Sequence, residues 1–214
     1  MNNACPLCET DSKEAFSRID QRYLICPKCD LTFVNRNDVL VPAQEQLRYE
    51  LHDNSIRSKG YLNFLYRLIN PINNFVKDKT KNGLDFGSGP YPMLIELLNE
   101  EGFKNIKGFD PFFQNNLAVW NENYDFITCC EVLEHVNELK KTFENLLGHL
   151  NSGGFLIVSS GIAPEKSKDR ENWHYILDPT HISLFSEITI GWMAKKYDLT
   201  FEFLEKDLFI FWKK

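Results

Sequence analysis

The chain has 214 residues, 43% of them hydrophobic and 25% charged, with a formal net charge of −6. That is enough for one α/β domain and a small appendage. No apolar run approaches the roughly 18 residues of a membrane span, and no basic footprint suits a phosphate backbone, which disfavours a nucleic acid as partner. Met1-Asn2-Asn3-Ala4-Cys5 lacks the basic and apolar stretches of a secretory leader, so a cytoplasmic location is the default expectation.

The first unit covers residues 1–40 and holds Cys5-Pro6-Leu7-Cys8 and Cys26-Pro27-Lys28-Cys29, with a stretch between them that suits a hairpin. The spacing C-x2-C-x17-C-x2-C falls in the window for a zinc site. Each CxxC turn aims two thiolates at one point, and two turns complete a tetrahedron around Zn²⁺. The pattern resembles a zinc ribbon with Cys5, Cys8, Cys26 and Cys29 as ligands. Four thiolates leave no open position, so such a zinc is structural. Four free cysteines, or a redox CxxC pair, are the other readings.

Residues 41–80 read as a helical lid or linker. Pro42 suits a helix start, and Leu47, Leu51, Leu62, Leu65, Leu68 and Ile69 recur at helical spacing. Pro71 is expected to break or kink this stretch.

From residue 81 to the end the pattern is strand, turn and helix. Gly83–Phe86 reads as a strand, and Gly87-Ser88-Gly89 as a turn that precedes a helix from Met93 to Glu101. Gly102 stops that helix. Residues 105–110 and 124–130 read as further strands. A helix over 137–150 carries Leu139, Phe143, Leu146, Leu147 and Leu150 on one face, and Phe155–Ser159 is an apolar strand. Ser186 suits the N-cap of a helix reaching Tyr197, and 200–205 with 208–212 reads as a terminal hairpin. The alternation predicts a Rossmann-like, doubly wound, mostly parallel sheet with an antiparallel C-terminal strand.

The glycine turn sits where such sheets bind ligands. Pro92 stands where a dinucleotide fingerprint needs a third small residue, so NAD fits poorly. Leu84-Asp85-Phe86-Gly87-Ser88-Gly89 resembles the first motif of class I S-adenosylmethionine (SAM)-dependent methyltransferases. Tyr124–Val136 is similar to the fourth-strand motif of ubiquinone-type methyltransferases, and Asn151-Ser152-Gly153-Gly154 to the turn before their fifth strand. The resemblance covers roughly residues 83 to 160 and implies SAM as cofactor. It implies that Asp85, Gly87, Ser88 and Gly89 form the cofactor turn, and that Asp110 accepts hydrogen bonds from ribose hydroxyls. Pro111, Phe112 and Phe113 would flank the adenine, with Cys130 and Glu131 on the cofactor side. Asp85 as a plain turn cap, and Asp110 as a plain strand-end acid, are the alternatives. Cys129 and Cys130 are expected to face opposite sides of their strand. Thirteen residues separate Asp110 from Tyr124, too few for the usual helix and strand, so the sheet is expected to be short on that edge.

Trp173–Ser186 resembles a segment of small methyltransferases of the Methyltransf_23-like group, as do Tyr49-Glu50-Leu51-His52-Asp53-Asn54 and Gly60-Tyr61 upstream. Tyr49 and Tyr61 are then expected to cover the cofactor. Methyl transfer needs a positioned acceptor and, for oxygen or nitrogen, a base. His181 is the first candidate base, with Tyr175, His52 and Tyr49 behind it. Asp178 or Thr180 is expected to orient His181, and His135 to be structural or cofactor-side.

A SAM-dependent methyltransferase acting on a small-molecule acceptor is the leading reading, with O-, N- or C-methylation open. Sugar C-methyltransferases also carry N-terminal cysteine knuckles, but in much longer chains. An RNA methyltransferase that uses the ribbon for substrate binding is a second reading. Residues 1–40 hold five basic against six acidic side chains, which is no basic arm. A non-enzymatic SAM-fold module with a zinc-ribbon docking unit is the third.

Overall fold

The computed structural model describes residues 3–50 and 57–214. The first unit is a small antiparallel sheet of β1 (Lys13–Arg18), β2 (Gln21–Ile25) and β3 (Thr32–Val34). The link between β1 and β2, Ile19-Asp20, has both φ angles positive (46° and 61°), as a two-residue hairpin turn requires. Two helices follow, α1 (Pro42–Tyr49) and α2 (Lys59–Phe75). Ser58 caps α2 by accepting from the Tyr61 N–H. The expected break at Pro71 does not occur, because α2 runs through it to Phe75. Leu65, Leu68, Ile69 and Ile72, on one face of α2, are buried.

The main sheet has six strands in the order β5-β4-β6-β7-β10-β9. β4 (Asn82–Phe86), β5 (Asn105–Phe109), β6 (Tyr124–Cys130) and β7 (Leu150–Ser159) are parallel to one another. β10 (Leu208–Lys213) is antiparallel to both β7 and β9 (Leu199–Glu205). The chain leaves β4 on one side for β5 and returns on the other for β6. That reversal opens a crevice at the strands' C-terminal ends. β5 forms one edge of the sheet, as the short 111–123 connection implied; that segment contains a 3-10 turn, Leu117–Asn121.

One face of the sheet is covered by α2 and α3 (Met93–Glu100), the other by α4 (Leu139–Gly148) and α6 (Glu187–Lys196). α3 ends before Gly102 at φ 94°, and α6 begins at Ser186 with a capping box to Thr189. β6 serves both faces. Ile127 and Cys129 point into the α4/α6 core, while Phe126 and Cys130 point to the α2/α3 side, as the two-residue period requires.

The cysteine unit is not a separate body. β3 pairs with β8 (Ser183–Leu184), a strand from the far end of the chain. Leu7, Leu24, Leu31 and Phe33 share the α4/α6 core with Phe143 and Phe211. Arg170, in the short helix α5 (Ser167–Arg170), is fully buried and donates to Asp30 Oδ2 (2.6 Å) and Thr32 Oγ1 (2.8 Å). A pair so enclosed ties the segment after β7 to the cysteine unit. Among the described residues no helix is long and apolar enough to cross a membrane.

Candidate active site

The four N-terminal cysteines converge. Cys5 Sγ lies 3.6 Å from Cys29 Sγ, and Cys8 Sγ 3.3 Å from Cys26 Sγ. All four sulfurs lie within 4.8 Å of one another. The separations exceed the ~2.05 Å of a disulfide and are close to the ~3.8 Å edge of a tetrahedron with Zn–S bonds of ~2.3 Å. The two knuckles share one main-chain pattern. Glu9 and Asp30, just after each second cysteine, are left-handed (φ 61° and 59°) and donate to the carbonyls of Cys5 and Cys26. Cys5 and Cys26 donate in turn to Thr10 and Leu31. The four thiols fit a tetrahedral metal.

The crevice of the main sheet is a cleft of about 900 Å³. Its floor is the turn after β4. Gly87 has φ 82° and Gly89 φ 66°, a region that favours glycine. A Cβ on Gly87 would lie 2.3 Å from Val132 Cγ2, whereas one on Gly89 meets nothing within 4 Å, because Gly89 faces the open cleft. Asp110, one residue beyond β5, binds the turn from the side. Its Oδ2 accepts from the Gly89 N–H (3.0 Å), and its Oδ1 from the N–H groups of Phe112 and Phe113. Ser88 Oγ donates to Gln114 Oε1. Asp85 lies under the turn with Thr128 Oγ1 donating to it at 2.6 Å. Burial pushes its carboxyl up to about 6, and the Asp110 charge adds to this, against the pull of Thr128.

Phe109, Pro111, Phe112 and Trp120 form an aromatic side of the cleft. Cys130, Glu131 and Val132 line it beyond the turn, with Tyr49 and Tyr61 from α1 and α2. Tyr49 stands edge-on to both Phe112 and His135. Cys130 is not an activated thiol, since burial and then the Glu131 charge push it well above the ordinary cysteine range.

His181 lines the cleft together with His135 and Asp178. Asp178 Oδ1 accepts from Thr180 and its carboxylate also interacts electrostatically with His181, while His181 Nδ1 sits 2.7 Å from the Tyr175 carbonyl. His135 Nδ1 sits 3.0 Å from the Thr180 carbonyl. A carbonyl only accepts, so in both rings Nδ1 carries a proton, and in the neutral form of either ring Nε2 holds the lone pair. Tyr175 stacks on His181 with centroids 3.9 Å apart, and its hydroxyl lies between Glu131 (2.9 Å) and Glu134. Burial and those two carboxylates raise its pKa strongly, and the hydroxyl donates to both. His52 lies outside the described residues.

Three lining or supporting groups had no marker in the sequence. Trp120 reaches the cleft from the 3-10 turn, Gln114 holds Ser88, and Ser159 donates to Glu131. Only the pairing of distant segments brings them there. Glu134, inside a motif that the sequence did expose, was not singled out there, although it is completely buried.

The "Methyltransferase domain" family model (Methyltransf_23) matches residues 59–202, more than half of the chain. A ubiquinone biosynthesis O-methyltransferase of Rickettsia felis is 31% identical over 72 residues, which are 34% of this chain and 25% of that protein. The match thus spans a quarter of the length of that relative. Among solved structures, the plantazolicin methyltransferase BpumL in complex with SAH superposes with a TM-score of 0.53 at 13% identity, covering 81% of this chain and 91% of that one. A SAM-dependent methyltransferase from Archaeoglobus fulgidus gives a TM-score of 0.50 at 21% identity, covering 73% and 78%. These likenesses reach the fold, and with the family match they establish that the chain belongs to the methyltransferase-domain family.

Proposed function

We propose that this protein is a SAM-dependent methyltransferase acting on a small-molecule acceptor, with a structural zinc in its N-terminal ribbon. One observation carries this reading. A single cleft joins the glycine turn and Asp110 to the His181 edge, so donor and acceptor can meet in one enclosure. SAM, when bound, supplies a methyl group on a sulfonium, and the chain's task is to position the acceptor against it.

In this reading Gly87, Ser88 and Gly89 give main-chain access to the cofactor. Asp110, besides holding Gly89, keeps carboxylate lone pairs for ribose hydroxyls. Phe112 and Trp120 offer faces for the adenine, Tyr49 and Tyr61 cover the opening, and Asp85 stiffens the turn from below. His181 Nε2 is the lone pair on the acceptor side, with its ring held by the Tyr175 carbonyl and by stacking. The cleft's size suits a cofactor with a small second molecule. The RNA reading has less support, since Arg22 on the ribbon is already paired with Asp38 and the net charge is −6.

The test is to incubate zinc-replete protein with SAM and fractionated small-molecule pools and to follow S-adenosylhomocysteine. Its formation with at least one pool is expected. His181→Ala should lower turnover at least about tenfold while leaving SAM affinity nearly unchanged. Formation only with RNA pools would replace the small-molecule reading.

A further inference from the structure

Glu134, His135 and His181 form a second group of metal-ligating side chains, apart from the cysteines. One ligand atom from each lies within 4.8 Å of the others. Glu134 and His135 stand on the turn after β6, and His181 arrives from the segment before β8. The two segments are pinned by the Ile182 N–H donating to the Glu134 carbonyl at 2.9 Å. The two imidazole centroids are 4.7 Å apart. Both rings donate Nδ1–H to a main-chain carbonyl, the arrangement by which metal-binding histidines fix Nε2 as ligand.

A second observation is independent of that cluster. Glu134 is 0% exposed, and its Oε2 makes no hydrogen bond of normal geometry among the described residues, the equally buried Ser160 hydroxyl and the Glu134 main chain being the hydrogen-bonding groups that act on this carboxyl. Its other oxygen shares the single Tyr175 proton with Glu131. Among the described residues neither carboxylate is paired with a lysine or arginine. Burying an uncompensated carboxylate oxygen is costly unless a cation or proton meets it.

We propose that Glu134, His135 and His181 bind a divalent transition-metal ion, with open coordination positions that take a hydroxyl of the methyl acceptor. Two imidazoles and one carboxylate suit such an ion and leave positions free. The ion would polarise the acceptor's O–H. The proton leaves to solvent, the oxygen lone pair forms the new C–O bond, and the C–S bond breaks with its electrons going to sulfur. His181 then acts as a ligand, and the acceptor class narrows to hydroxylated molecules. Glu131 is a positioning residue, since it holds Tyr175 against Glu134.

This inference rests on the methyltransferase reading for its acceptor and on the side-chain cluster for its ion, so the two can fail separately. The probe is Mn²⁺ alone, added to zinc-loaded protein and followed by the electron paramagnetic resonance of the free ion. Mn²⁺ is a poor partner for thiolates, which keeps the cysteine site out of the measurement. One Mn²⁺ per chain is expected, with enhanced water-proton relaxation from its open positions. Affinity should fall at least about tenfold in Glu134→Gln and in His181→Gln while zinc content is retained. If Glu134→Gln does not fold, the partly exposed His181→Gln carries the comparison. No Mn²⁺ binding by the unmodified protein, unchanged affinity in the variants, or a bound ion without relaxation enhancement would each overturn the proposal. SAM titrated into the same samples judges the methyltransferase reading by itself.

Discussion

The cysteine cluster and the Glu134–His135–His181 cluster are opposites in construction. The first is made by two local turns, each a Cys-Pro-x-Cys stretch closed by a left-handed residue, and its four soft ligands leave no vacancy. The second draws one carboxylate and two imidazoles from segments 46 residues apart, His135 to His181, and meets the cleft. On the proposed reading the closed local site serves stability, and the open one assembled at long range serves chemistry. Lesions at the first should therefore change stability more than lesions around the cleft, whose further readout is ligand binding.

The largest expected effect is removal of the cysteine-bound metal. Zinc analysis should give about one ion per chain, and chelation should lower Tm by on the order of 10 °C or more, because metal binding in such sites is folding free energy. A Tm indifferent to chelator would erase the structural half of the contrast. Next is Arg170→Ala, which strips the enclosed partner from Asp30 and Thr32. A loss of about 3–5 kcal/mol in chemical unfolding is expected. Because the ribbon shares the α4/α6 core, both lesions should destabilise the whole chain in one transition.

On the cleft side the effects are smaller. Asp85 has its folded-state pKa raised to about 6 by burial, above the ordinary carboxylate value. The folded state therefore holds this proton longer than the unfolded state, and stability falls as pH rises from about 4 through about 6. Asp85→Asn should remove that slope, gaining on the order of 2–4 kcal/mol relative to the unmodified protein above about pH 6. Parallel pH dependences for the two proteins would mean that Asp85 is ordinary. Gly87→Ala meets both a positive φ and Val132, and should cost about 1–3 kcal/mol. Val132→Ala in the same chain should return the steric part. Gly89→Ala carries only the φ penalty, about 1 kcal/mol, so it should be the milder of the two in stability while its methyl enters the cleft.

The sequence exposed whatever depends on local spacing. It exposed the four converging cysteines, the glycine turn, the end of β6 at Cys130, the Ser186 cap and the terminal hairpin. It did not show that α2 continues through Pro71, since packing of Leu65, Leu68, Ile69 and Ile72 outweighs one missing N–H. Nor did it show that β8 extends the ribbon sheet, because a two-residue strand carries no periodicity. Nor did it show that His181 Nδ1 meets the Tyr175 main-chain carbonyl, because main-chain partners leave no trace in side-chain identity. Trp120 and Glu134 join the site through tertiary contacts alone.

Titration of zinc-replete protein with SAM and with S-adenosylhomocysteine tests the central claim most directly. One site per chain is expected for each, with affinity at least about tenfold weaker in Asp110→Ala, which loses both the proposed ribose acceptor and the tie to Gly89. Folded, zinc-loaded protein that binds neither compound would contradict the account.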